Sequence, residues 1–321
     1  MVAKTKQIKK ITTMKKIFIA ALVLAAASCA KNEVVNLNQE AISFGDAFIE
    51  NSTRAIYESA NNLTGFTVFG KIGEVALYGN GATVTRDSKA LGAAWNCSIT
   101  RYWTPNATFN FAAIANGTAK TLVNGLPTVI SYTVNNDPAD LIYATASATT
   151  GADSVPVGDV TDGKVVKFNF QHLLSRIKVG FVNQIPETDY TYNIKNVKIT
   201  TWKNGEYTIG ETTPWAEVGN DTADLTYDGI TALGNSATAT AVGAQLVIPG
   251  STVKLSFDYE LCVNGTPIYT TSVSKDVNVV PVQNYSYYVT VQLKVDKKIE
   301  FTVDATNGLT DWGNDSPVTI Q

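Results

Sequence analysis

The sequence predicts an all-β protein built from packed antiparallel sheets. Short runs of β-branched and aromatic residues recur along it, separated by clusters of Gly, Asn, Asp and Pro. No 12-residue window shows a helical apolar period. Many short strands with frequent turns bury their apolar faces as β-sandwiches. At 321 residues two sandwiches are expected rather than one, with a boundary near residue 163.

The chain opens on a lysine-flanked apolar run, residues 17–27, whose end reads Leu24-Ala25-Ala26-Ala27-Ser28-Cys29. A basic region, a short apolar region and small residues before a cut mark a secretory signal. The run is about half of the roughly 20 residues a membrane span needs. Residues 1–28 are therefore expected to be a signal peptide, with Met14 as its natural start. Residues 29–54 are expected to be a tether and a first strand. The tether, 30–40, is polar and carries Asn32, Asn36 and Asn38. The strand runs from Ile42 to Ile49 with Ile42, Phe44 and Phe48 on one face, and Asp46 interrupts the alternation. Arg54 follows in a polar stretch and is the sole basic residue between Lys31 and Lys71. Small polar neighbours make the Arg54–Ala55 bond a candidate for proteolytic processing.

The first sandwich is expected over 55–163. Its strands are read at 66–70, 108–114, 129–134 and 140–144, and residues 144–163, rich in Ala, Thr, Gly and Asp, read as a long loop. The second is expected over 164–321. Alternation resumes at 165–170 and at 176–182, where Ile177, Val179 and Phe181 face inward; Gln171 to Ser175 between them reads as a bulge or short helical turn. A strand over 192–201 carries Ile194, Val197 and Ile199, and Lys203-Asn204-Gly205-Glu206 reads as a hairpin turn. The run 253–263 leads through Asn264-Gly265 into 268–273 as a second hairpin. Strands over 288–296 and 299–305 close the chain, the last with Ile299, Phe301 and Val303 on one face.

Composition narrows function. Removing the leader takes away six lysines and no acid, which leaves 19 basic against 28 acidic side chains. A mature charge of −9 disfavours nucleic acid and anionic membrane faces as partners. His172 is the one histidine, so a multi-histidine metal site is excluded and the residue is read as packed or hydrogen-bonded. No CxxC, phosphate-binding or HExxH motif is present. Cys97 and Cys262 are read as two separate thiols, with a disulfide as the alternative in an oxidising compartment. Asp137, Asp140, Asp153, Asp159 and Asp162 lack calcium-loop spacing and read as solvated loop acids. Trp95, Trp103, Trp202, Trp215 and Trp312 read as core residues, or alternatively as sugar platforms. Asp153-Ser154-Val155 and Asp221-Thr222-Ala223 resemble a bacterial O-glycosylation pattern. No catalytic, cofactor-binding or metal-ligating residue is assigned.

The landmarks resemble a family. Arg101-Tyr102-Trp103-Thr104-Pro105, then Phe109-Asn110-Phe111-Ala112-Ala113, matches a Trp-Pro element followed by an aromatic strand. Asp140-Leu141-Ile142-Tyr143-Ala144 and the segment Phe168-Asn169-Phe170-Gln171-His172-Leu173-Leu174-Ser175 follow in order, then Leu246 to Pro249 and Trp312-Gly313. In this order they resemble the fimbrillins, the Mfa-like and FimA-like pilins of Bacteroidales-type bacteria. The end of the leader, small residues before Cys29, resembles a lipoprotein signal. The resemblance implies two transthyretin-like β-sandwiches, lipid on Cys29, an outer-membrane lipoprotein precursor, and assembly on the cell surface into a fimbria that supports adhesion. It implies as partners other copies of the chain or related pilins, the outer membrane through that lipid, and an arginine-specific protease. The matching cut falls between Arg54 and Ala55, which removes the first strand and opens a groove.

The expected donor for a neighbour's groove is the final strand with Ile299, Phe301 and Val303, extended by Val318 and Ile320. It repeats the Ile-x-Phe spacing of Ile42-Ser43-Phe44. Two other classes stand beside this one. A lipid-anchored glycan-binding module of an outer-membrane uptake system would keep residues 30–54, and a surface hydrolase would need a carboxylate pair.

Overall fold

A computed structural model describes residues 40–45, 48–49, 63–89, 93–136, 139–161, 164–294 and 299–307, with backbone alone at 48–49 and 299–307. Every regular element among them is a strand. The sequence pattern accounts for this. In Val253–Val263 the residues Val253, Leu255, Phe257, Tyr259 and Leu261 are buried, and their neighbours from Lys254 to Glu260 are not.

The buried apolar side chains gather into two clusters. The first is built around Ile42, Phe44, Phe66, Val68, Trp103, Phe109, Phe111, Phe168 and Phe170. Its main sheet runs Phe48–Ile49, Asn169–His172, Ile142–Thr150, Thr108–Ala115, Gly65–Ile72, Ala82–Thr85, Asn96–Cys97. A small sheet of Ser43–Phe44, Val165–Val166 and Val160–Thr161 lies with it. The second cluster is built around Ile177, Val179, Phe181, Ile194, Ile199, Leu255, Phe257, Val289 and Val291. One of its sheets runs Thr240–Val247, Ser175–Asn183, Tyr285–Leu293, Ile299–Asn307, and the other runs Thr222–Thr226, Tyr190–Trp202, Val253–Val263, Thr266–Val277. A fifth sheet pairs the hairpin Thr118–Val123/Leu126–Thr133 with Asn204–Thr208 and ties the two halves of the chain together.

Most pairings are antiparallel, and three are parallel: Ser43–Phe44 on Val165–Val166, Phe48–Ile49 on Asn169–His172, and Ser175–Asn183 on Tyr285–Leu293. Ser175–Asn183 has a paired strand on each edge and is buried on both faces, Arg176 and Val182 included.

Several sequence expectations need correction. Residues 144–163 are not a loop: Ile142–Thr150 is a nine-residue strand, and Pro156–Gly158 and Val160–Thr161 follow it. Ala144, Ala146 and Ala148 are its inward residues, and their small size hides the alternation. Lys203-Asn204-Gly205-Glu206 is not a hairpin. Asn204–Thr208 is a strand paired with Leu126–Thr133, and Gly205 is buried where a Cβ would meet Ile248 at 3.0 Å. Gln171 and His172 continue a strand, and no helical turn forms there. The Asn264-Gly265 turn forms as expected with positive φ at both residues, and Asn124-Gly125 makes a second such turn. Cys97 and Cys262 are free thiols, one half-buried and one buried.

Candidate assembly site at the N-terminal strand

The chain segment 40–45 is threaded between two others. On one side Ile42 N–H donates to the Arg101 carbonyl (2.8 Å), Trp103 N–H donates to the Glu40 carbonyl (3.0 Å), and Ala41 bridges Tyr102 antiparallel. On the other side Ser43 and Phe44 run parallel to Val165 and Val166, and Gly45 N–H donates to the Val166 carbonyl at 3.2 Å. A Cβ on Gly45 would lie 2.3 Å from Val165 Cγ1, so glycine alone permits this close approach. The Glu40 carboxylate also pairs with Lys164 Nζ.

Ile42 and Phe44 are each 4% exposed. The Phe44 ring is stacked on Phe168 at 5.9 Å and meets Phe66, Tyr78 and Phe111 with centroids 6.2–6.3 Å away. Trp103, fully buried, packs edge-on against Phe109 and donates from Nε1 to the Lys164 carbonyl at 3.3 Å. Phe44 thus occupies a slot whose walls are aromatic side chains from four other segments of the chain. Burial pushes the Tyr78 phenol well above the usual tyrosine range, and its hydroxyl has no hydrogen-bond partner among the described residues. Burial also pushes the neighbouring Cys97 thiol up. The slot is apolar and uncharged, which suits a hydrophobic strand.

Ile299, Phe301 and Val303 lie on the strand Ile299–Asn307, paired in register with Leu293, Val291 and Val289 of Tyr285–Leu293. Those three partners are buried. The strand is at the edge of its sheet, with one neighbour. Cys29, Arg54, Ala55, Val318 and Ile320 lie outside the described residues.

The two motif histidine and aspartate positions meet. His172 Nδ1 contacts Asp140 Oδ2, both buried; Asp140 stands two residues before the strand whose Ile142 pairs with His172. Asp140 is thus not the solvated loop acid expected from the sequence, and its pairing with His172 was not foreseen. Sequence reading also missed Arg86, whose Nε donates to the Leu63 carbonyl at 2.7 Å while its guanidinium lies 4.8 Å from the Trp95 ring centre. Among the described residues no group of three or more His, Cys, Asp or Glu gathers. Trp95, Trp202 and Trp215 are half-buried and pack against the outside of the two clusters, whereas Trp103 is fully buried.

A family model described as fimbrillin-like matches residues 53–307. The chain belongs to the fimbrillin-like family. It is a structural subunit of a cell-surface fimbria. The fold is similar to a fimbrial protein of Bacteroides vulgatus at 15% identity and TM-score 0.55, covering 84% of this chain and all of that one. It is also similar to a protein assigned to cell adhesion from Bacteroides uniformis, at 15% identity and TM-score 0.50, covering 84% of this chain and 98% of that one. No curated protein matches the sequence.

Proposed function

We propose that this fimbrillin-like subunit polymerises by protease-triggered strand exchange from a lipoprotein precursor. Lipid on Cys29 holds the precursor at the outer membrane, and an arginine-specific protease cuts between Arg54 and Ala55. The observation that carries the reading is the seat of segment 40–45. It is hydrogen-bonded on both sides, it buries Ile42 and Phe44, and it precedes the bond to be cut. Once released, it leaves two unpaired strand edges and an aromatic slot, which form a template for another strand.

The donor is the C-terminal strand with Ile299, Phe301 and Val303, together with Val318 and Ile320 beyond it. In a single chain Ile299–Asn307 sits on Tyr285–Leu293, so donation requires it to leave that edge. Burying Ile299, Phe301 and Val303 in a neighbour's groove at about 1.5–3 kcal/mol each supplies roughly 4.5–9 kcal/mol gross.

The test combines N-terminal sequencing of surface-extracted protein with the Phe301→Asp/Val303→Asp variant. A mature terminus at Ala55, and a variant that is folded by circular dichroism yet absent from fimbriae, are expected. Intact protein starting at Cys29 removes the processing step, and normal fimbriae from the double variant remove the donor assignment.

A further inference from the structure

The full sequence holds four arginines, at 54, 86, 101 and 176, against 21 lysines. The structure puts the three described ones in different situations. Arg86 is buried and donates to the Leu63 carbonyl. Arg176 is buried near the start of the strand Ser175–Asn183 and donates to Ser286 Oγ at 2.9 Å. Arg101 is exposed, in a loop between Asn96–Cys97 and Thr108–Ala115, with its Nε donating to the Leu77 carbonyl at 2.6 Å, and is followed by Tyr102 at 45% exposure.

A protease binds its substrate as an added extended strand, through the backbone groups flanking the bond it cuts. At Arg101–Tyr102 those groups are taken. The Arg101 carbonyl accepts from Ile42 N–H, and the Trp103 N–H donates to Glu40. Segment 40–42 therefore lies on the edge that a protease would use.

We propose that the Arg101–Tyr102 bond is a second, conditional processing site, shielded by the N-terminal segment and opened when that segment departs. The proposal rests on the strand-exchange reading: a subunit that has lost residues up to 54 and gained no donor presents Arg101 to the same protease. Water adds across the bond, leaving a carboxylate on Arg101 and an amine on Tyr102. Cutting there separates Asn96–Cys97 from Thr108–Ala115, two strands of the main sheet around the first cluster, and removes the subunit from assembly. A donor strand that refills the groove restores the shield.

The test digests the purified full chain with an arginine-specific protease and follows cuts by mass spectrometry. In the wild-type chain the cut at Arg54 comes first and the cut at Arg101 second, while Arg86 and Arg176 survive. An Arg54→Ala chain, which keeps its segment, resists at Arg101. Ile42→Asp in that Arg54→Ala background, which loosens the shield with no cut at 54, speeds cleavage at Arg101 by about tenfold or more, because cleavage follows the open population. The proposal is overturned if Arg54→Ala is cut at Arg101 as fast as the wild type. It is also overturned if Arg101 outlasts Arg86 and Arg176 once Arg54 is cut, or if Ile42→Asp leaves its rate unchanged. Resistance of Arg54 in the wild-type chain instead overturns the processing step alone, and the Ile42→Asp arm still decides the shield.

Discussion

Replacing Phe44 by alanine tests whether the N-terminal segment belongs to the core that it is proposed to leave. Phe44 is 4% exposed and its ring meets Phe66, Tyr78, Phe111 and Phe168, stacking on the last at an interplanar angle of 12°. Truncation removes a buried aromatic ring and leaves a hole that four neighbouring rings cannot fill by small shifts. Such substitutions cost about 3–5 kcal/mol. Urea unfolding followed by tryptophan fluorescence reports the loss, since Trp103 and Trp95 pack against the same cluster. With a urea slope of about 3 kcal/mol per molar, the upper end for small domains, the midpoint falls by roughly 1 M or more. Ser43→Ala, at a half-buried neighbour, serves as the control and is expected within about 0.5 kcal/mol. A Phe44→Ala loss below about 1 kcal/mol would mean that the slot closes without the ring. The groove left by exchange would then offer little to a donor.

Two further outcomes follow from buried polar groups. Asp140→Asn and His172→Gln each break a buried contact, and each is expected to destabilise by about 3 kcal/mol in urea unfolding, with the double variant costing well under the sum; additive losses would show that the residues do not act together. Burial, then the neighbouring Tyr207 and Tyr259 respectively, push Tyr143 and Tyr192 up to about 12. Their folded pKa values lie above the unfolded value of about 10, so this stability is complete below pH 10 and drains away as pH rises towards 12. Phenolate absorbance should therefore rise in two stages, with loss of circular dichroism in the second, and a single stage near pH 10 with native dichroism retained would contradict it.

Much of the fold could be read from period-two alternation, and the failures have physical causes. Thr108–Ala115 and Val253–Val263 were legible because large β-branched and aromatic residues mark the buried face; for the strand expected over 288–296 the inward Val289, Val291 and Leu293 were read correctly, but it begins at Tyr285 and ends at Leu293. Ile142–Thr150 was not, because alanines fill its inward positions and a hydrophobicity reading cannot tell them from loop residues. Asn-Gly turns the chain at 124–125 and 264–265 but lies within a strand at 204–205. The dipeptide tolerates positive φ but does not demand it, and at Gly205 the need was room beside Ile248. The spacing of Val197 from Ile194 breaks strict alternation; Asn196, at φ 52°, sits in a bulge there that restores both residues to the core.

The site was half legible for a different reason. Ile42 and Phe44 announced a buried face, but their neighbours are set by pairings to residues 101–103 and 165–166, which no local pattern encodes. Those pairings agree with the proposed departure of this strand. Ser43–Phe44 and Phe48–Ile49 are two-residue strands, each paired parallel with a different segment, and Asp46 lies between them. Parallel pairs are slightly weaker per residue than antiparallel ones, and a short ladder has few bonds to lose. Ile299–Asn307 is nine residues long with unbroken alternation from Ile299 to Ala305. On the proposed exchange, a long strand takes the place of an interrupted one in a slot already shaped for an Ile-x-Phe pair. The incoming strand can add backbone hydrogen bonds that the departing segment does not make, but it also gives up its ladder on Tyr285–Leu293, so on this proposal the irreversible removal of the first strand by the protease is what gives the exchange its direction.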